Sequence, residues 1–93
     1  MSTDTFDSAT WKAQRGISAK ENQRIHMAPA LQSQIKAGMS RAEVIQLLGE
    51  PDAREAQTGA EKYLLGLPMG PDEQYYEIRY QNGVVSSARL GQF

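Results

Sequence analysis

Ninety-three residues, 40% of them apolar, hold one domain and not two. A chain of this size buries only about 60 to 65% of the surface its unfolded form exposes, so its stability is ordinary at best. The absence of cysteine excludes disulfide staples and thiol chemistry, and a net charge of −1 from interspersed acids and bases gives no electrostatic case for nucleic acid or a strongly anionic membrane.

The first 22 residues read as an N-terminal arm, partly flexible, ahead of an α+β domain over residues 23–93. Within the arm, Asp7 or Ser8 can cap a short helix holding Ala9, Trp11 and Lys12, with Phe6 as the staple residue before it and Gly16 ending it. Phe6 and Trp11 either form a partner-binding arm or fold back over the core. The second reading is favoured, because a large aromatic usually offsets its ordering cost by burial in its own domain. Residues 17–23 read as a connecting loop. A second helix is predicted over residues 28–36, where Met27, Leu31 and Ile35 recur every four positions and Pro29 fits only the first turn. His26, the sole histidine, has no second histidine, cysteine or carboxylate cluster beside it and reads as a solvated or capping residue.

Residues 37–52 carry the densest local instructions. Ser40 and Glu43 form a capping box, so a helix starts at Arg41. Ala42, Val44, Ile45, Leu47 and Leu48 then place an apolar stripe on one side of two turns. Gly49 supplies a left-handed stop and Pro51 prevents the helix from resuming, while Gly38 terminates whatever precedes it. A helix this short is marginal alone, since isolated helices below about 12 to 15 residues rarely hold in water. Its apolar side must therefore lie on something else.

Beyond Pro51 the period changes to two. Residues 52–60 read as loop with room for a short extended piece, and residues 62–67, with Tyr63, Leu64 and Leu65, as a first main strand. Pro68, Met69, Gly70 and Pro71 cannot continue a ladder and form a loop. Residues 74–80 then alternate, with Tyr76, Ile78 and Tyr80 on one face and Tyr75, Glu77 and Arg79 on the other. Of two possible hairpins, a two-residue Asn82-Gly83 turn would pair Tyr80 with Val85 and bury Ser87 and Arg89. A three-residue loop with Gly83 in a bulge would pair Tyr80 with Val84, Ile78 with Ser86 and Tyr76 with Ala88, and this register is the one predicted.

The fold expected is α+β, two short N-terminal helices packed on one face of a three-stranded antiparallel sheet. The predicted inward set is Leu31, Ile35, Val44, Leu47, Leu48, Tyr63, Leu65, Tyr76, Ile78, Tyr80, Val84, Ala88 and Leu90, with Leu64, Tyr75, Glu77, Arg79, Val85 and Arg89 on the outer face. No spacing in the sequence suggests a metal site, a nucleophile elbow or a phosphate cradle, and the adjacent Asp72 and Glu73 read as a solvated turn. The expectation is therefore no catalytic, metal or cofactor site, and a protein partner. Candidate contact residues are Leu64, Pro68, Met69, Tyr75, Arg79 and Arg89, since Tyr, Met and Arg are the types that anchor interfaces. The chain is expected as monomer or weak dimer, without nucleic acid.

Gly38-Met39-Ser40, Glu43-Val44 and Leu47-Leu48-Gly49-Glu50-Pro51, followed by Tyr63 and a strand running into Asn82-Gly83-Val84, resemble the SmpA/OmlA or BamE-like domain, a small bacterial envelope module. The resemblance covers roughly residues 31–90 and implies an accessory role in outer-membrane assembly. Members of that family are typically lipoproteins held by an N-terminal cysteine after a signal peptide, and this sequence departs from that pattern. Its N-terminus is polar and no apolar run reaches 18 residues, so neither a secretory signal nor a transmembrane helix is expected in it. It is expected either as a mature region at the periplasmic face of the outer membrane, with membrane contact only through a lipid anchor it does not carry, or as a cytoplasmic protein. The architecture is also similar to β-lactamase inhibitor proteins, which implies an inhibitor or immunity role as the alternative, although those usually contain two repeats and none occurs here. A cytosolic binding domain with another partner is the third reading.

Overall fold

The structure, a computed structural model, describes residues 6–67 and 72–91. Helix α1 spans Ser8–Ala13, a 3-10 helix spans Gln23–Met27, and α2 (Ala28–Gln34) and α3 (Arg41–Leu48) follow. Strands β1 (Ala53–Arg54), β2 (Glu61–Gly66), β3 (Gln74–Gln81) and β4 (Val84–Gly91) form one antiparallel sheet in the order β1-β2-β3-β4. The fold is α+β, with more elements than the expected two helices and three strands. The short extended piece allowed within residues 52–60 pairs as a fourth strand, the short helix read around Trp11 forms as α1 beside the two helices of the expected architecture, and a 3-10 helix adds to them.

Each helix starts where its cap dictates. The Asp7 carboxylate accepts from the Thr10 amide at 3.1 Å, which assigns the α1 cap to Asp7 rather than Ser8. Pro29 lies in the first turn of α2, where its missing N–H costs nothing. At α3 the Ser40 hydroxyl accepts from the Glu43 amide at 3.1 Å while the Glu43 carboxylate accepts from the Ser40 amide at 3.2 Å, the reciprocal capping box that the sequence predicts. Gly49, with φ +75°, ends that helix.

The helices bury one side against the sheet. Leu31, Ile35, Val44 and Leu48 meet Tyr63, Leu65, Tyr76, Ile78 and Val85, with Leu47, Tyr80, Ala88 and Leu90 at the margin. Trp11 lies at the centre of this core and is wholly buried, so the segment expected as an arm supplies one of the largest core side chains. Its indole N–H donates to the Leu48 carbonyl at 3.0 Å, and its ring lies 6.0 Å from that of Tyr63 and 5.8 Å from that of Phe6.

The β3–β4 hairpin corrects the predicted register. Gln81 pairs with Val84 and Tyr80 with Val85 around a two-residue turn in which Asn82 (φ +56°) and Gly83 (φ +81°) are both left-handed. Val85 is buried and Val84 exposed, the reverse of the expectation. The cost foreseen for this turn, burial of Ser87 and Arg89, does not arise, because the ladder shifts between Arg79 and Tyr80. Ser86 is the extra residue, so Ser87 faces Arg79, Ala88 faces Ile78 and Leu90 faces Tyr76. The bulge restores the apolar phase two residues after the turn, and the Ser86 hydroxyl donates to the Arg79 carbonyl at 3.1 Å.

Both sheet edges are partly closed. Along β4, the Gly38 amide donates to the Val85 carbonyl and the Val85 amide to the Met39 carbonyl at 2.9 and 2.7 Å, so the segment before α3 is bridged to this edge. Along β2, beyond the end of β1, a side-chain pair replaces the missing strand. The Leu64 amide donates to Asp52 Oδ2 at 2.9 Å, and Arg24 donates both to the Leu64 carbonyl at 3.5 Å and to Asp52 at 2.8 Å.

Candidate functional site

The alternation of β3 turns Tyr75, Glu77 and Arg79 away from the helices, and cross-strand pairing decides what stands beside them. Leu64 lies opposite Tyr75, Lys62 and Arg89 flank Glu77 on either side, and Ser87 lies opposite Arg79. The outer face is therefore ordered in rows, an apolar one of Leu64 and Tyr75, then Lys62, Glu77 and Arg89, then Arg79 and Ser87. Directly opposed side chains in such a ladder have Cβ atoms about 4.5–5.5 Å apart, so each row acts as a unit.

Glu77 is 4% exposed although it sits on the outward face. Both Arg79 and Arg89 direct Nε at its Oε1, at 3.1 and 3.2 Å. The arginine stems cover the carboxylate, while 47% of the Arg79 side chain and 59% of the Arg89 side chain stay in solvent. Two arginines thus share one carboxylate, and Lys62 lies across from it on β2. The Tyr75 hydroxyl donates to Glu73 at 2.9 Å, and burial together with that acceptor raises its pKa. The apolar row therefore ends beside an acidic group, and the basic rows lie further along the strands.

Of the residues singled out from sequence, Leu64, Tyr75, Arg79 and Arg89 share this face. Pro68 and Met69 lie outside the described residues. Val85, expected here, belongs to the core instead, because the two-residue turn pairs it with the inward-facing Tyr80. Sequence reasoning passed over Lys62, although its position two residues before Leu64 places it on the same face.

A second charged constellation escaped notice altogether. Arg24 is fully buried, its Nε donates to the Trp11 carbonyl at 2.9 Å, its Cζ lies 4.6 Å from the Trp11 ring centre, and its Nη1 meets Asp52. Burial pulls the Arg24 pKa down and Asp52 pushes back. This clasp joins α1, the 3-10 helix, the loop after α3 and β2. The Asp52 side chain is 22% exposed, and the groups the pair engages, the Trp11 carbonyl and the Leu64 amide, belong to the fold's own backbone, so its work is structural.

A third pair lies on the inner face, where Glu61 Oε2 accepts from Arg41 Nε and Nη2 at 3.0 and 2.8 Å. Arg41 opens α3, where a positive charge opposes the helix dipole, and the Glu61 carboxylate compensates for that placement. His26 is exposed on the 3-10 helix. Among the described residues no group of three or more His, Cys, Asp or Glu side chains converges, no pocket opens, and no helix is long and apolar enough to cross a membrane. No family model matches the chain and no curated protein matches it.

Proposed function

We propose that this chain is a non-enzymatic protein-interaction module of the BamE-like kind, an accessory of envelope or outer-membrane assembly, and that it meets its partner through the outer face of the sheet. The observation that carries the reading is the joining of Leu64, Tyr75, Arg79 and Arg89 on one face, with both arginine side chains about half in solvent. Tyrosine offers a large amphipathic contact at low entropic cost and arginine offers a planar fork of donors, which is why both are enriched where interfaces carry their energy. The envelope part of the reading rests on the sequence pattern from Gly38 to Pro51. Its capping box and glycine stop supply support for a shared local structure, and its apolar stripe supplies the sheet contact.

The test is recovery of a partner from a bacterial envelope fraction by the immobilised chain and by the Tyr75→Ala/Arg79→Ala double variant. A specific protein recovered by the parent and at least about fivefold less by the variant, a difference of roughly 1 kcal/mol, is the expected result. Equal recovery removes this face from the mechanism. Circular dichroism of the variant guards against simple unfolding.

A further inference from the structure

We infer that the open part of the β4 edge binds an extended polypeptide segment of a partner protein. The segment adds antiparallel to residues 87–91 as a further strand and is apolar at the two positions opposite Leu90 and Ala88. The inference goes beyond the outer face of the sheet and concerns the main chain at its rim. It comes from the direction of the backbone groups. The Val85 amide and carbonyl bond to Met39 and Gly38, so Val85 turns its main chain away from β3. Ser86 and Ser87 both stand against Arg79 at the bulge and turn toward β3, and alternation resumes after them. Arg89 and Gly91 therefore bond to β3, whereas Ala88 and Leu90 each direct an amide and a carbonyl outward. Among the described residues no hydrogen bond reaches those groups.

The rest of the rim is guarded, by β1, Asp52 and Arg24 along β2 and by Gly38 and Met39 at Val85. Residues 87–91 contain neither a proline nor an inward-pointing charge, two common guards of an edge strand. Their side chains set the pattern of the ligand. Ala88 and Leu90 lie at the margin of the core. Residues of an added strand directly opposite them point to the same side, so an apolar side chain at each extends the core, and the residue between them faces the outer side. The Gly38 to Ser40 segment sets the limit, since it already occupies the edge at Val84 and Val85 and runs antiparallel to β4. A segment of pattern x-apolar-x-apolar-x fills what remains and meets both outward amides and both outward carbonyls.

A second copy of this chain fits less well. Pairing Ala88 with Leu90 of the copy sets two Arg89 side chains directly opposite one another, and like charges so placed are destabilising. Pairing Ala88 with Ala88 of the copy brings Gly91 of the copy opposite Val85, where Gly38 and Met39 already sit. Pairing Leu90 with Leu90 of the copy engages only residues 89–91 of the described strand.

The experiment titrates the full chain with the capped synthetic peptide Ser-Val-Thr-Val-Ser, followed by amide chemical shifts and hydrogen exchange. In the free chain the Ala88 and Leu90 amides should exchange at least about tenfold faster than those of Ser87 and Arg89, and saturating peptide should slow them at least about tenfold. Methylating the amide nitrogens of both valines removes the donors that face the Leu90 and Ala88 carbonyls and should weaken binding at least about tenfold. Methylating the threonine nitrogen, which points away from β4, should leave affinity within about threefold. A peptide with aspartate in place of both valines should bind at least about tenfold more weakly. Ala88→Pro removes only an outward amide, so the circular dichroism should persist while binding falls by a similar factor. The methylated peptides keep the test decisive if that variant unfolds. Absence of saturation at millimolar peptide, slow exchange of Ala88 and Leu90 in the dilute free chain, or equal losses from the two kinds of methylation overturns the inference. A concentration-dependent dimer that protects Ala88 and Leu90 without peptide assigns the edge to a second copy and overturns it as well.

Discussion

Arg24 shows how one side chain can hold several parts of a small domain together. It is enclosed beneath Trp11, and it forms an ion pair with Asp52 at 2.8 Å. A buried guanidinium left without its carboxylate is costly, and breaking such a pair typically removes about 3–5 kcal/mol. Asp52 keeps some solvent exposure, so Asp52→Ala should lie near the low end, about 3 kcal/mol, measurable as a shift of the urea midpoint with unchanged slope. Asp52 also receives the Leu64 amide, so Asp52→Asn, which keeps a carbonyl acceptor there, should cost less. Equal losses for the two variants would show that charge and not edge-capping is the whole of its role. Gly66 is the second residue on which much depends. Its φ of +148° disfavours any side chain, and a Cβ there would meet Ile25 Cβ at 3.2 Å and the Ala19 carbonyl at 3.3 Å. Gly66→Ala should therefore lose roughly 1–3 kcal/mol from backbone strain and crowding. For a domain of this length that corresponds to a melting temperature lower by about 4–8 °C per kcal/mol. A melting point unchanged from the parent would mean that the loop at Ala19 yields freely.

At the level of elements, α3 and the β3–β4 hairpin behave differently as objects of sequence reasoning. The α3 boundaries were legible because every determinant lies within one turn of the residue it acts on: Ser40 and Glu43 are three apart, and Gly49 follows the last buried leucine directly. Removing the cap by Ser40→Ala should cost about 1 kcal/mol, read from thermal melts, with Ser40→Gly closer to the parent. The hairpin was misread because turn length alone was asked to set which β4 residues face inward. The chain uses two devices, a two-residue turn that directs Val85 inward and a bulge at Ser86 that corrects everything after it. The periodicity of β4 carries the trace of this, since Val85, Ala88 and Leu90 do not follow a strict period of two. Deleting Ser86 should leave both halves of the ladder in their present pairings, Tyr80 with Val85 and Ile78 with Ala88. The main loss is then the Ser86 to Arg79 hydrogen bond, about 1 kcal/mol. Inserting one glycine after Ser86 should instead turn Ala88 and Leu90 outward and cost considerably more. Nuclear Overhauser contacts between Leu90 and Tyr76, kept in the deletion and lost in the insertion, are the check.

For the whole molecule, the division into a dry inner layer and a charged outer face follows from the sheet, which gives alternate residues opposite surroundings. That division could be read from β3 alone. What the sequence hid were the contacts across long separations, above all Arg24 with Asp52 at 28 positions and Trp11 with Leu48 at 37, since no periodicity links residues on different elements. The inner layer is unusual in holding three tyrosines, and its response to alkali follows. Burial pushes the phenols of Tyr76 and Tyr80 up to about 12 and raises that of Tyr63 strongly as well. An unfolded tyrosine titrates near 10, so below about pH 10 both states keep these protons and the phenols add no pH dependence. Between about pH 10 and 12 the unfolded chain releases protons that the folded chain retains, and stability must fall as pH rises through that window. Each fully buried phenol contributes up to about 1.4 kcal/mol per pH unit, less for the half-buried Tyr80. Against a total stability of about 5–15 kcal/mol, such slopes are enough to unfold the domain within the window. Tyrosinate absorbance should therefore stay low to about pH 10 and then rise together with loss of the circular dichroism signal. The Tyr76→Phe variant should show a shallower decline in urea-derived stability over the same range. Gradual ionisation of most of the tyrosines near pH 10 with the fold intact would mean that water reaches the layer beneath the helices, which the packing of Trp11, Tyr63 and Leu48 over these rings excludes.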